Sequence, residues 1–259
     1  MRGAHFAKPW VARRLWRRET LRMITRLQRW VWVGAWALAV VAGMINVAGI
    51  LGFQHQPVTH LTGTTSMLAA ASANLDLAAA AHFGAIIGCF FFGCVLSGYL
   101  VKESALKLGR RYGIALLLES LCLLIAVPLL SRHLSAGTYL LAAACGLQNA
   151  MASTYSGSVI RTTHVSGMFT DLGILAGHFL RGIPVDRRRV SLCSLIIFGF
   201  FLGGIVGALG FARWQSQVLL IPASGTALAA ISYWGFVTAA RRRIRDAPSL
   251  PRASPAETR

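Results

Sequence analysis

YGIALLLESLCLLIAVPLLS, residues 112–131, decides the fold. It holds one charged side chain, Glu119, and stands between Arg110-Arg111 and Arg132. At the rise of a helix, a run of about 20 residues covers about 30 Å, the hydrocarbon thickness of a bilayer. The stretch therefore reads as a transmembrane helix. Five more apolar segments of spanning length follow the same rule, over 30–53, 80–101, 137–156, 190–212 and 217–239. The whole chain agrees with them. Of its 259 residues 55% are hydrophobic and 13% charged, with a mean hydropathy of +0.59. A soluble domain carries about a quarter charged residues. The expected fold is all-α, a polytopic membrane protein of six transmembrane helices.

The formal net charge of +18 invites a nucleic-acid reading, but the placement of the charge argues against one. Lys and Arg crowd into 1–29, 102–111, 157–189 and 241–259, and only Arg132 and Arg213 of the 26 fall elsewhere. In a six-span chain those four blocks share one face. The positive-inside rule then puts both termini in the cytoplasm, where anionic lipid headgroups are the natural partner of the basic blocks. Trp30, Trp32, Tyr99, Tyr112, Tyr139, Trp214 and Tyr233 mostly sit near span ends, as interfacial aromatics do. Residues 1–29 form a basic arm, read either as an interfacial amphipathic helix or as a disordered topology determinant. The proline-containing tail 241–259 reads as disordered.

A motif occurs twice. Thr59-His60-Leu61-Thr62-Gly63 returns as Thr163-His164-Val165-Ser166-Gly167. Upstream, Gly43-Met44-Ile45-Asn46 parallels Gly146-Leu147-Gln148-Asn149; downstream, Phe90-Phe91-Phe92-Gly93 parallels Phe200-Phe201-Leu202-Gly203. The three matches keep their order, at offsets of 103, 104 and 110 residues. The halves become 30–132 and 136–240 with three spans each, and an odd count makes the second half enter from the opposite face. That is an inverted repeat of the kind common in secondary transporters. Each THxxG opens a short semi-apolar segment, 64–79 and 168–180, interrupted by one acid, Asp76 or Asp171. These half-helices either re-enter the membrane or lie along it, with the Thr or Ser hydroxyl as the expected cap. Two helix N-termini facing one cavity would suit an anionic group.

The candidate substrate-binding residues are the polar ones at membrane depth or in these motifs. Glu119 stands inside the third span, where a charge costs about 2.5–3.5 kcal/mol on insertion scales. Asn46 and Asn149 each follow a glycine by three residues, a pattern that either lets a helix unwind and offer donor and acceptor or simply places an amide for hydrogen bonding between helices. His60 and His164 carry protons near neutral pH or simply cap. Thr62, Gly63, Ser166 and Gly167 complete the two turns. Arg161 and Asp171 share a side, which would allow them to pair, although an Arg at a cytoplasmic end is more often a topology determinant than a ligand. Gly84, Gly88, Gly93, Gly98, Gly199, Gly203 and Gly207 are expected to allow close helix contact. Cys89, Cys94, Cys122, Cys145 and Cys193 lie in apolar runs as packing residues, without metal spacing. No metal, cofactor or catalytic constellation is expected, since there is neither a GxSxG context nor HExxH spacing.

Gly146-Leu147-Gln148-Asn149-Ala150, with the run Arg161 to Gly173 (RTTHVSGMFTDLG), resembles the YoaK-type family of bacterial inner-membrane proteins, classed as a domain of unknown function. The resemblance covers most of 30–240. Members often carry Asp where this chain has Asn46, and an MTGN run where it has Leu61-Thr62-Gly63-Thr64. The resemblance implies a membrane protein and supplies no substrate. The leading expectation is a small-solute secondary transporter or channel with its site between the THxxG segments, an anion being one candidate solute. The alternative is a non-transporting scaffold or sensor that assembles as a homo-oligomer through its glycine-rich spans.

Overall fold

In the computed structural model, residues 29–101, 111–156 and 160–245 are described. The basic arm before Arg29, most of the 102–111 loop and the tail beyond Arg245 lie outside them. The described chain is all-α. Its helices are α1 (Arg29–Leu51), α2 (Leu61–Ala73), α3 (Leu77–Leu100), α4 (Arg111–Ser131), α5 (Ser135–Ser156), α6 (Val165–Leu180), α7 (Arg187–Trp214) and α8 (Leu220–Arg245). A 3-10 turn, Gln215–Leu219, joins the last two.

Four helical stretches are long and apolar enough to cross a membrane: Trp30–Leu51, Leu77–Leu100, Arg111–Ser131 and Arg187–Ala239. The last is 53 residues long, far more than the roughly 20 that one crossing takes. It is divided by the 3-10 turn, where Gln215 takes a left-handed φ of 51°. α5 has the length of a span but is diluted by Thr138, Gln148, Asn149, Ser153, Thr154 and Ser156. Large apolar side chains point outward all along these helices, Phe91, Phe201 and Leu228 each being more than 60% exposed. A contiguous apolar exterior belongs in lipid. The chain is a multi-pass membrane protein.

The packing is set by glycines, because only they let two backbones touch. A Cβ on Gly43 would run into the carbonyl of Phe200, and one on Gly203 into that of Val40. One on Gly146 would strike the carbonyl of Phe90, and one on Gly93 that of Ala143. Hence α1 is pressed against α7 and α3 against α5, the two most extensive contacts among the described helices. Gly203 lies beside Val40 and Gly207 beside Met44, so α1 and α7 run in the same direction. The helices stay continuous through Gly43–Asn46 and Gly146–Asn149, so of the two alternatives unwinding does not occur; the glycine removes a side chain, not a hydrogen bond. Gly84, Gly88 and Gly98 meet nothing and face outward, against expectation.

Between these pairs, α4 lies along α5 and α8, and Ser120 Oγ donates to Ala223 O at 2.7 Å. Ile45, Ile86, Leu123, Leu141 and Leu219 fill the centre, fully buried. α2 and α6 are short flaps on α3 and α7. The first was expected over 64–79 and stops at Ala73, because Asn74 and left-handed Leu75 (φ 57°) turn the chain. Asp76 then caps α3, accepting from Ala79 N at 3.0 Å. Its counterpart is not Asp171 but Asp186, which caps α7 by accepting from Arg188 N at 2.9 Å. The final helix persists to Arg245, past Arg241 where disorder was expected. Nothing breaks it earlier, since the first proline of the tail is Pro248.

Candidate functional site

The THxxG segments begin below the ends of the helices that precede them. After Leu51 the chain doubles back, and Asn46 Oδ1 accepts from both the backbone N–H and the hydroxyl of Thr59, at 3.2 and 2.8 Å. Asn46 lies five residues before the end of α1, so α2 starts about 7 Å back along α1. The second segment is tied in the same manner by a different residue. Gln148 Nε2 donates to Thr162 Oγ1 at 3.3 Å and to Leu38 O of α1 at 2.6 Å. Gln148 is fully buried. Asn149, the residue the repeat singled out, is half-buried, and its Oδ1 meets no partner among the described residues. The extra methylene of Gln148 reaches the loop from one position earlier.

The two helix starts share one backbone. His60 (φ −114°, ψ 69°) and His164 (φ −99°, ψ 59°) occupy the N-cap positions, and neither side chain caps. Thr62 and Ser166 lie inside the first turn rather than capping it. Each imidazole folds back over its own first turn. A Cβ on Gly63 would come within 3.2 Å of His60 Cδ2, and one on Gly167 within 2.9 Å of His164 Nε2. That accounts for the H-x-x-G spacing: residue i+3 must be small for the ring to lie there. With no side-chain cap, the first N–H groups of α2 and α6 keep their positive partial charge.

His60, Thr62, Arg161, His164 and Ser166 are exposed, while Gly63, Gly167 and Asp171 are half-buried. Asp171 does not pair with Arg161. Its Oδ2 meets Arg189 Nη2 at 3.0 Å, because the turn after α6 lays the first turn of α7 alongside. Glu119 is fully buried in α4, with Cys122 and Cys145 as neighbours, and neither carboxyl oxygen meets a partner among the described residues. The structure thus joins Asn46 to the first THxxG turn and Gln148 to the second, and leaves Glu119 apart in the packed centre. None of five cavities among the described residues is lined by Asn46, His60, Glu119, Asn149 or His164. Thr59, Thr162, Gln148 and Arg189 are not among the site residues expected from the sequence, although Thr59 and Gln148 stand inside the repeated motifs. The doubled Thr162-Thr163 beside Thr59 was the one signal that could have exposed two of them.

The family described as "Protein of unknown function (DUF1275)" matches residues 34–232. The chain belongs to this family. The matched range takes in α2 to α7 whole, most of α1 and half of α8. Both THxxG turns, Asn46, Gln148 and Glu119 therefore lie within the DUF1275 region, in keeping with the YoaK-type resemblance. No curated protein and no solved structure matches the chain.

Proposed function

We propose that this DUF1275 protein is a small-solute secondary transporter or channel of the bacterial inner membrane. Six spans (α1, α3, α4, α5, α7, α8) form two inverted three-span repeats, with both termini cytoplasmic. The observation that carries the reading is the reciprocity of the helix contacts. Gly43 on Phe200 and Gly146 on Phe90 are one contact made twice, and so are Gly203 on Val40 and Gly93 on Ala143, at the offsets of the sequence repeat. Each repeat therefore lends its first helix to the other. In this arrangement α2 and α6 re-enter from opposite faces, their uncapped N-termini favouring an anionic solute. The basic blocks contact anionic lipid headgroups, and the reading includes no catalytic step.

Flux in proteoliposomes tests it. Gly63→Leu and Gly167→Leu displace the two imidazoles and are expected to reduce flux at least about tenfold while the protein still elutes as a monodisperse species. Unchanged flux in both sinks the proposed site. A second reading, a non-transporting scaffold or sensor, is favoured by the apolar filling around Ile45, Ile86, Leu123 and Leu141. Glu119→Leu separates the two. A scaffold gains stability, by about 1–3 kcal/mol, when an unpartnered buried carboxyl is replaced by an apolar side chain. A transporter that uses Glu119 loses flux while gaining that stability.

A further inference from the structure

Four aromatic residues from four helices meet at the end of the bundle that carries Arg111 and Arg161. Trp30 (α1) and Tyr155 (α5) have ring centroids 5.7 Å apart. Tyr112 (α4) stands edge-on to Tyr155 at 5.5 Å and to Tyr233 (α8) at 6.5 Å. They line a cavity of about 270 Å³ whose other walls, including Leu38, Leu116 and Met151, are apolar. It occupies a gap: α8 barely touches α1, although α4 lies closely along α5. Trp30, Ala37 and Ala229 on its rim are exposed, so it opens toward the lipid-facing surface.

We propose that this cavity binds a lipid-soluble planar carbonyl compound of one or two rings, entering from the bilayer and accepting a hydrogen bond from Tyr112. Three observations converge. Tyr112 is 8% exposed, and its hydroxyl meets no partner among the described residues; a buried phenol of this kind calls for an acceptor, which a saturated acyl chain lacks. The walls present ring faces and edges, which favour a planar aromatic guest. Benzene fills an apolar cavity of about 150 Å³, so this volume takes up to two rings. Gly34 lines the same cavity, and a Cβ there would meet nothing within 4 Å. Unlike Gly43, it serves no helix contact, and it leaves space that any longer side chain would fill.

The full chain in nanodiscs, with 2-acetonaphthone and its carbonyl-free analogue 2-ethylnaphthalene as probes, provides the test. Equilibrium dialysis against empty discs should show saturable binding of one probe per chain. Acetonaphthone should bind about tenfold tighter than ethylnaphthalene, equivalent to about 1.4 kcal/mol. Tyr112→Phe keeps the ring packing and should erase that difference while leaving ethylnaphthalene affinity unchanged. Gly34→Leu, which adds no clash at Cβ, should remove saturable binding of both. Equal affinity of the two probes for the wild-type chain overturns the proposal, as does displacement of acetonaphthone by palmitate with equal potency in the wild type and in Tyr112→Phe. Retention unaffected by either variant also overturns it. Monodisperse elution of both variants excludes unfolding as the cause.

Discussion

Single glycines in this protein differ by what an added methyl group would meet. At Gly146 and Gly203 it would meet backbone carbonyls of a neighbouring helix, which can yield only if the helices part. Gly146→Ala is therefore expected to lose about 3 kcal/mol or more, the upper range for overpacking. At Gly88 the methyl group enters open space, and Gly88→Ala should gain roughly 0.5–1 kcal/mol from helix propensity. Thermal denaturation in one detergent would order the two variants; a similar melting temperature for both would refute the contact. Gly167 is intermediate, since what it would meet is a side chain. Gly167→Ala should swing the exposed His164 ring away at a cost below about 1 kcal/mol, visible as a changed imidazole resonance with little loss of stability.

At the level of elements, the joint between α1 and α2 depends on one amide oxygen that takes two hydrogen bonds from Thr59. Asn46→Ala leaves a buried N–H and a hydroxyl unsatisfied and should cost about 1–3 kcal/mol, with faster amide exchange confined to residues 52–64. Asn46→Asp keeps an acceptor and should hold the joint. Equal exchange in all three proteins would show that the joint is held otherwise. The helices themselves were legible in the sequence, because apolar length and flanking charge are local signals. So was the place of the THxxG turns. Three things were not legible, and all three depend on distance in space. Asp171 pairs with Arg189 because a turn of the backbone brings α7 back to it, whereas Arg161 was nearer only in reach along the basic loop. Gln148 replaces Asn149 because side-chain length, not register, decides which residue reaches the loop. Tyr112, Tyr155 and Tyr233 form a cluster, although along the chain Tyr112 and Tyr233 stand singly near span ends like interfacial anchors and nothing marks Tyr155.

Across the whole molecule, most hydroxyls on the short flaps are satisfied without outside help. Thr65 donates to Leu61 O, Ser66 to Thr62 O and Ser72 to Leu68 O in α2, and Thr170 to Ser166 O in α6. Such self-satisfaction suits surfaces that water does not reach. A cysteine added beside Arg132 or Arg213 is expected to react with an impermeant maleimide from outside intact cells, and one added beside Arg111 or Arg187 only after permeabilisation. Labelling of all four from outside would overturn the proposed orientation. The crossed pairing of α1 with α7 and α3 with α5 also has a consequence in time. As the chain emerges from the ribosome, α3 finds α5 quickly, but α1 waits in the lipid with its glycine face open until α7 is made, more than half the chain later. During that interval it is a ready docking strip for any small-residue helix nearby. Residues 1–132 alone should therefore be unstable and rapidly degraded, and co-expression with 133–259 should rescue both fragments. The late arrival of α7 closes a contact that the first helix has held open from the start.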